Sequence, residues 1–201
     1  MKVIVAGTVA IDDVKTPKVE RTGLMGGSAS YAAMACSFFA PTRIVGIIGK
    51  DFPKEHITTL ENNGICTEGI ERSEGDSFYW SGEYHENMDD RTTHDVAINV
   101  LEAYEPKIPE SYFDTELVLL ANMSPRNQID VLDQCSNAKY SIADTMDIWI
   151  NNERDELIEL LRNIDLLVIN ESEAQGREKI DGPRPKECHH QDRRARLHAV
   201  W

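Results

Sequence analysis

Three apolar runs of strand length, Leu117 to Ala121, Tyr140 to Ala143 and Leu166 to Ile169, are separated by segments of helical character, Arg126 to Cys135 and Glu153 to Asn163. Runs that are apolar almost throughout belong to strands buried on both faces, and intervening helices supply the crossovers that parallel strands require. The rhythm predicts a mostly parallel sheet between helices. Lys2 to Ala6, ending at Gly7, and Arg43 to Ile48, ending at Gly49, extend the sheet toward the amino terminus. Between them, Ser28 to Phe39 is rich in Ala, Ser and Met without internal Gly or Pro, a helix of small residues that can lie close against a sheet. Pro53 to Asn63 reads as an amphipathic helix closed by Gly64. Ser77 to Tyr84 and Thr92 to Leu101 instead alternate, with aromatics, around a polar turn at Asn87 to Asp90. They predict a hairpin or flap, residues 77–101, beside the main sheet.

The residues at the strand tips carry the functional signal. The later strands run into Asn122, into Asp144, and into Asn170 with Glu171 and Glu173 beyond; Asp12 follows the first. Ligands of open α/β sheets bind outside the carboxyl ends of the strands, so these polar groups would converge on one crevice. Asn and Asp in such places also serve as ordinary turn formers and helix caps. The Gly26-Gly27 pair before Ser28 is a second candidate, where backbone can approach a ligand and a helix start can hold hydroxyls or an anion; it also reads as a simple turn. Neither a GxxxxGK[ST] loop nor a GxGxxG fingerprint occurs.

Charge narrows the partners. The chain of 201 residues has a formal charge of -14, which repels phosphate backbones and anionic headgroups, so neither nucleic acid nor membrane is expected. No apolar run approaches the roughly 20 residues of a bilayer span, and Asp12 and Asp13 interrupt the first apolar stretch, which predicts a cytoplasmic protein. Cys36, Cys66, Cys135 and Cys188 form no CxxC pair and read as reduced thiols.

Composition changes near residue 176. From Gly176 to Trp201 there are seven basic and four acidic residues, and three of the six histidines, without the periodicity of a core element. A disordered basic terminus accounts for this, as does a metal tract at His189, His190 and His198.

In their order, the features of residues 1 to 175 resemble the ribokinase or PfkB family of carbohydrate kinases. They are Gly7 and Asp12, Gly-Gly-Ser-Ala-Ser-Tyr-Ala-Ala at 26 to 33, Val45-Gly46-Ile47-Ile48-Gly49-Lys50-Asp51, Asn63-Gly64-Ile65, and Asn170-Glu171-Ser172-Glu173. The resemblance implies a ribokinase-like three-layer α/β/α fold, with a mostly parallel sheet and a small β lid. It implies ATP-dependent phosphorylation of a sugar or nucleoside hydroxyl, with ATP and Mg²⁺ as cofactors. Asp12, Gly26, Gly27 and Ser28 would bind substrate. Asn170 and Glu173 would organise Mg²⁺ beside the ATP phosphates, with Asp144 nearby. Residues 77–101 would be part of the lid, and Trp80 and Arg91 would face substrate, or Trp80 would only pack the flap. By analogy, lids of the intact parent would pair in a homodimer.

Two departures stand out. Tyr31 occupies the place of a sugar-contacting Asn, so the sugar differs from ribokinase's own. The Gly-Ala-Gly-Asp element that supplies the family's catalytic base is not found in the 201 residues. The expectation is a chain lacking the carboxyl-terminal third, inactive alone and holding mainly the sugar half-site. A catalytically dead sugar-binding module and an α/β interaction protein are the alternatives. A change of reading frame between about Gln175 and Pro185 would explain the tail. His189-His190-Gln191 must be encoded CAY-CAY-CAR. Codon degeneracy from Glu187 onward permits a one-base-shifted product beginning Asn-Val-Ile-Ile-Lys-Thr-Gly-Glu-His-Gly, a buried strand followed by a turn this family carries.

Overall fold

The computed structural model describes residues 1–88, 90–170 and 173–174, and the backbone of 187–191. Seven strands form one parallel sheet: β1 (Val3–Ala6), β4 (Thr42–Ile48), β5 (Ile65–Arg72), β8 (Leu117–Leu120), β9 (Tyr140–Asp144), β10 (Leu166–Asn170) and β11 (Glu187–Gln191). Their order across the sheet is β11-β10-β9-β8-β1-β4-β5. The apolar runs form the central strands because both faces are covered. On one face Ile4, Ala6, Val118, Leu120, Ala143, Leu167 and Ile169 pack with α3 (Pro125–Gln134) and α5 (Arg154–Asn163), which contribute Ile129, Val131, Leu157, Leu160 and Leu161. On the other, Val3, Val5, Ile44 and Ile48 pack with α1 (Ser28–Ser37) and α2 (Lys54–Asn62) through Ala29, Ala33, Ile57 and Leu60. The alanines of α1 are what allow it to sit close. Gly64, at φ +75, closes α2 as its position after Asn63 predicts. The expected helix Glu153 to Asn163 is preceded by a further short helix, α4 (Asp147–Asn152), and the two are broken at Glu153, where φ is -126 and ψ 49.

The expected flap is larger than a hairpin. β6 (Phe78–Tyr84) and β7 (Arg91–Ala97) are antiparallel as predicted, but β2 (Ala10–Lys15) and β3 (Glu20–Gly26) join them in a four-stranded sheet ordered β3-β2-β6-β7. β2 runs parallel to β6 and antiparallel to β3. Residues Asn99–Leu101, expected to end the second strand, form a 3-10 turn instead.

The wholly unstructured tail is also corrected in part. Glu187 to Gln191 pairs parallel with β10, from Leu166 opposite Glu187 to Asn170 opposite Gln191, so the sheet continues past Ile169. These are the five residues whose codons are permitted by degeneracy to read Asn-Val-Ile-Ile-Lys in the shifted frame. Residues 175–186 and 192–201, with the other tail expectations, lie outside the described residues. Among the described residues, no helix is long and apolar enough to cross a membrane.

Candidate functional site

β1 leads to β4 on one side of the sheet, whereas β8 lies on its other side, so the chain order reverses between β1 and β8. Such a reversal opens a crevice at the strands' carboxyl ends. There the Thr8 amide donates to the Asn122 carbonyl at 3.3 Å, and the Ala29 amide donates to the Thr8 carbonyl at 3.0 Å. The Ser28 amide donates to Thr8 Oγ1 at 3.0 Å, and its hydroxyl donates to the Asn122 carbonyl at 3.1 Å, with Thr8 Oγ1 2.9 Å away. Gly27 makes this seating possible. It holds φ +90, and a β-carbon there would stand 2.3 Å from the Thr8 carbonyl oxygen. The start of α1 is thus pinned to two strand tips. Ser28, expected beside substrate, directs its hydroxyl to Thr8 and Asn122. Thr8 escaped sequence reasoning because a threonine after a strand-ending glycine has no distinctive spacing.

Asp12 and Gly26 meet on the second sheet. Asp12 lies on β2 opposite Leu24 of β3 and opposite Trp80 of β6, and Trp80 faces Val96 of β7, so one row across four strands reads Leu24, Asp12, Trp80, Val96. The Asp12 carboxylate folds over Gly26, where a β-carbon would stand 2.1 Å from its Cγ. Among the described residues no hydrogen-bond donor reaches that carboxylate. Burial pushes it up to about 6, and the neighbouring Asp13 charge adds to the push. Asp13, on the opposite face, accepts one bond on each oxygen, from the Gly23 amide at 2.7 Å and from the Tyr79 hydroxyl at 2.9 Å. The pair therefore divides into a structural carboxylate and a free one.

Tyr31, on the first turn of α1, is 62% exposed. Its hydroxyl lies close enough to Asp12 and Tyr84 that, after partial burial, both push its pKa up. The Trp80 indole sits on Gly82, whose added β-carbon would stand 2.3 Å from Cζ2, and meets Tyr84 edge to face at 6.4 Å. Its Nε1 donates to Thr93 Oγ1 at 3.3 Å. Arg91 pairs in register with Tyr84 at the outer end of the hairpin and is exposed, four positions along β6 from Trp80.

The other sequence candidates line the tips of β9 and β10. Asp144 is pushed up to about 6 by burial, against one bond accepted from the Thr145 amide at 2.9 Å. Asn170 and Glu173 clasp one another. The Asn170 amide donates to Glu173 Oε2 at 2.8 Å, Asn170 Nδ2 donates to Oε1 at 2.7 Å, and the Glu173 amide donates to Asn170 Oδ1 at 3.0 Å. Burial raises Glu173 to about 7; the Asn170 bonds oppose this, and the Asp144 and Asp147 charges reinforce it. Between Asp144 and the crevice, the Asn122 side chain accepts from Trp149 Nε1 at 2.7 Å. β10 stands three strands from β1, about 14 Å at ~4.8 Å per strand. The two groups of candidates therefore stand on one edge of the fold.

No family model matches the chain. It is 26% identical over 178 residues to a cytidine kinase of Thermococcus kodakarensis, a match covering 87% of this chain and 63% of that protein's length. The nucleoside kinase of Methanocaldococcus jannaschii, an archaeal member of the ribokinase family, superposes with a TM-score of 0.73 at 15% identity, over 94% of this chain and 69% of its own. The nucleoside kinase of Burkholderia thailandensis, in complex with inosine, gives 0.72 at 14% identity, over 94% of this chain and 70% of its own. The same enzyme has been solved in complex with ADP-inosine. In its three layers, its parallel sheet and its second small sheet, this chain has the fold of the ribokinase family of sugar and nucleoside kinases.

Proposed function

We propose that this chain binds a sugar or nucleoside and serves the ATP-dependent phosphorylation of one of its hydroxyls. The observation that carries the reading is the Asp12 carboxylate, half-buried, without a donor among the described residues, and lying on Gly26 beside the pinned start of α1. An ionised carboxylate accepts two hydrogen bonds from a vicinal diol with no donor of its own to compete. The cytidine kinase and the inosine complex among the relatives favour an acceptor of this kind.

ATP and Mg²⁺ belong to the other subsite. The donor set there fits a hard cation: Glu173 is buried, 6% exposed, with Asp144 and Asp147 near enough to crowd its charge. Among the described residues no three His, Cys, Asp or Glu side chains gather as a metal cage. Mg²⁺ beside nucleotide needs none, since it takes one or two carboxylates and completes its shell with water and phosphate oxygens. Asn170 holds the Glu173 carboxylate in place, and Mg²⁺, when bound there, neutralises phosphate charge. No residue is assigned as catalytic base.

Calorimetry of the purified protein with a panel of sugars and nucleosides, beside ADP release in the presence of ATP and Mg²⁺, tests the reading. Heat that disappears in Asp12→Ala is expected; silence from the whole panel overturns it. Because the 201 residues contain no Gly-Ala-Gly-Asp element, binding without ADP release supports a second reading, a binding module that does not turn over by itself.

A further inference from the structure

We propose that the outer face of α1, from Tyr31 to Phe39, is the contact through which two copies of this chain associate as a twofold pair of helices.

The face is apolar where a surface helix is ordinarily polar. No charged residue and no histidine lies between Arg21 and Arg43, in a chain of which 28% is charged. α1 turns Ala29, Ser30 and Ala33 toward the sheet. Its other side presents Tyr31, Ala35 and Phe38, all exposed, at spacings of four and three that stack along one helix face. Phe39 continues the turn, its amide donating to the Cys36 carbonyl at 2.9 Å. Tyr31 is 62% exposed, Phe38 77% and Phe39 91%. A helix that is apolar all round is one covered on every side, and here only the sheet side is covered. Exposed rings scattered singly are ordinary, whereas three on one ridge mark an interaction surface.

Charge and shape identify the occupant as a second copy. With a formal charge of -14, two copies repel over most of their surfaces and meet most readily through a patch that carries none. The ridge also complements itself. Small Ala35 stands between large Tyr31 and Phe38, so two such helices crossing antiparallel at Ala35 set each Tyr31 beside the partner's Phe38. The alanines at the axis let the backbones approach to the roughly 8–10 Å of packed helices. This is the self-complementary contact of a closed dimer.

The area suffices for a weak pair. Rings of about 200 Å² each, at these exposures, leave about 450 Å² open per copy. Two copies then bury about 900 Å², and the exposed Ala35 and Pro41 carry this to roughly the 1,000 Å² at which specific interfaces begin. The contact lies on a helix of the main sheet. It is distinct from the pairing of lids that the sequence resemblance implies, and it stands independently of the proposed function.

The test is sedimentation of the full chain from ~1 to ~200 µM, where a reversible monomer–dimer equilibrium is expected for an interface of this size. Because like charges oppose the pair, it should tighten as salt rises from ~0.05 to ~0.5 M. Phe38→Glu and Phe39→Glu should each weaken it by about tenfold or more. Both rings are exposed, so the melting temperature should change little. Val96→Glu, on β7 of the small sheet, should leave the equilibrium as it is. Ala35→Cys should give a disulfide-linked dimer under mild oxidation that the parent chain does not, since thiols beside a twofold axis come within bonding reach. A chain that stays monomeric over the whole range, a dimer that survives both phenylalanine variants or dissociates in Val96→Glu, or an Ala35→Cys chain that fails to cross-link overturns the proposal.

Discussion

Asp12 and Gly26 are packed so closely that a methyl group on the glycine would stand 2.1 Å from both Cγ and Oδ2 of the aspartate. The obstructing atoms are the far end of a rotatable side chain, so Gly26→Ala should evict the carboxylate and spare the backbone. Ligand affinity is expected to fall at least tenfold with a change in melting temperature of only a few degrees. Calorimetry and a thermal melt on the same preparation check both halves. Undiminished binding in Gly26→Ala would mean that Asp12 does not act from its observed position.

Asp12 also gives the site a pH dependence. Burial raises its folded pKa from 3.8 to about 6. A carboxyl with a raised folded pKa favours the protonated form in the fold. Its cost to stability is absent below about 3.8 and grows as pH rises toward and through about 6. Binding has the opposite sign, because a diol donates to the ionised form. Affinity should rise from pH 5 to pH 7.5 and proton release should accompany binding near pH 6, both read by calorimetry in buffers of different ionisation enthalpy. Asp12→Asn should flatten the profile.

The junction of Thr8, Ser28 and Asn122 governs stability more than chemistry. Thr8→Val leaves the Ser28 amide and hydroxyl each short of one partner in a buried setting, at about 1–3 kcal/mol. On a domain of this size about 1 kcal/mol corresponds to roughly 2–4 °C. A drop of several degrees, with affinity recovered at low temperature, is expected. A loss of affinity with no change in melting would instead place Thr8 on the ligand.

Asn170→Ala removes two of the three bonds between residue 170 and Glu173 and leaves its buried carboxylate, among the described residues, with the amide of residue 170. Stability should fall by about 1–3 kcal/mol. Mg²⁺ should raise the melting temperature of the parent protein in the presence of ATP more than that of Asn170→Ala or Glu173→Gln. Equal shifts in all three would remove the cation from this tip.

The parallel sheet was legible in the sequence because runs such as Leu117 to Ala121 have no second interpretation once they alternate with helices. β2 and β3 were not. Ala-Ile-Asp-Asp-Val-Lys and Glu-Arg-Thr-Gly-Leu-Met-Gly carry charge and glycine, are half-buried and mostly exposed respectively, and become strands only by pairing with one another and with β6, more than sixty positions along the chain from β2. Asp12 and the glycine pair were visible as polar and flexible residues, but that they touch follows from the register of Ala10 with Gly26. Glu187 to Gln191 was missed because its residues have no strand character as written. Sequencing the coding DNA across codons 170–201 checks the frame: the shifted reading should run open through Asn-Val-Ile-Ile-Lys, and a stop codon there dismisses it.

The Asp12 carboxylate does not stand on the floor of the crevice. It belongs to β2, part of the same four strands as Trp80, while Gly27 and Ser28 are anchored to the main sheet. The chain passes between anchor and arm in single steps, from Val9 in the core to Ala10 of β2 and from Gly26 of β3 to Gly27. Under the proposed function a guest grasped by Asp12 would pull on the whole upper sheet, making capture and enclosure one mechanical event. Stiffening those steps should slow arrival and escape alike, leaving the equilibrium between them little altered.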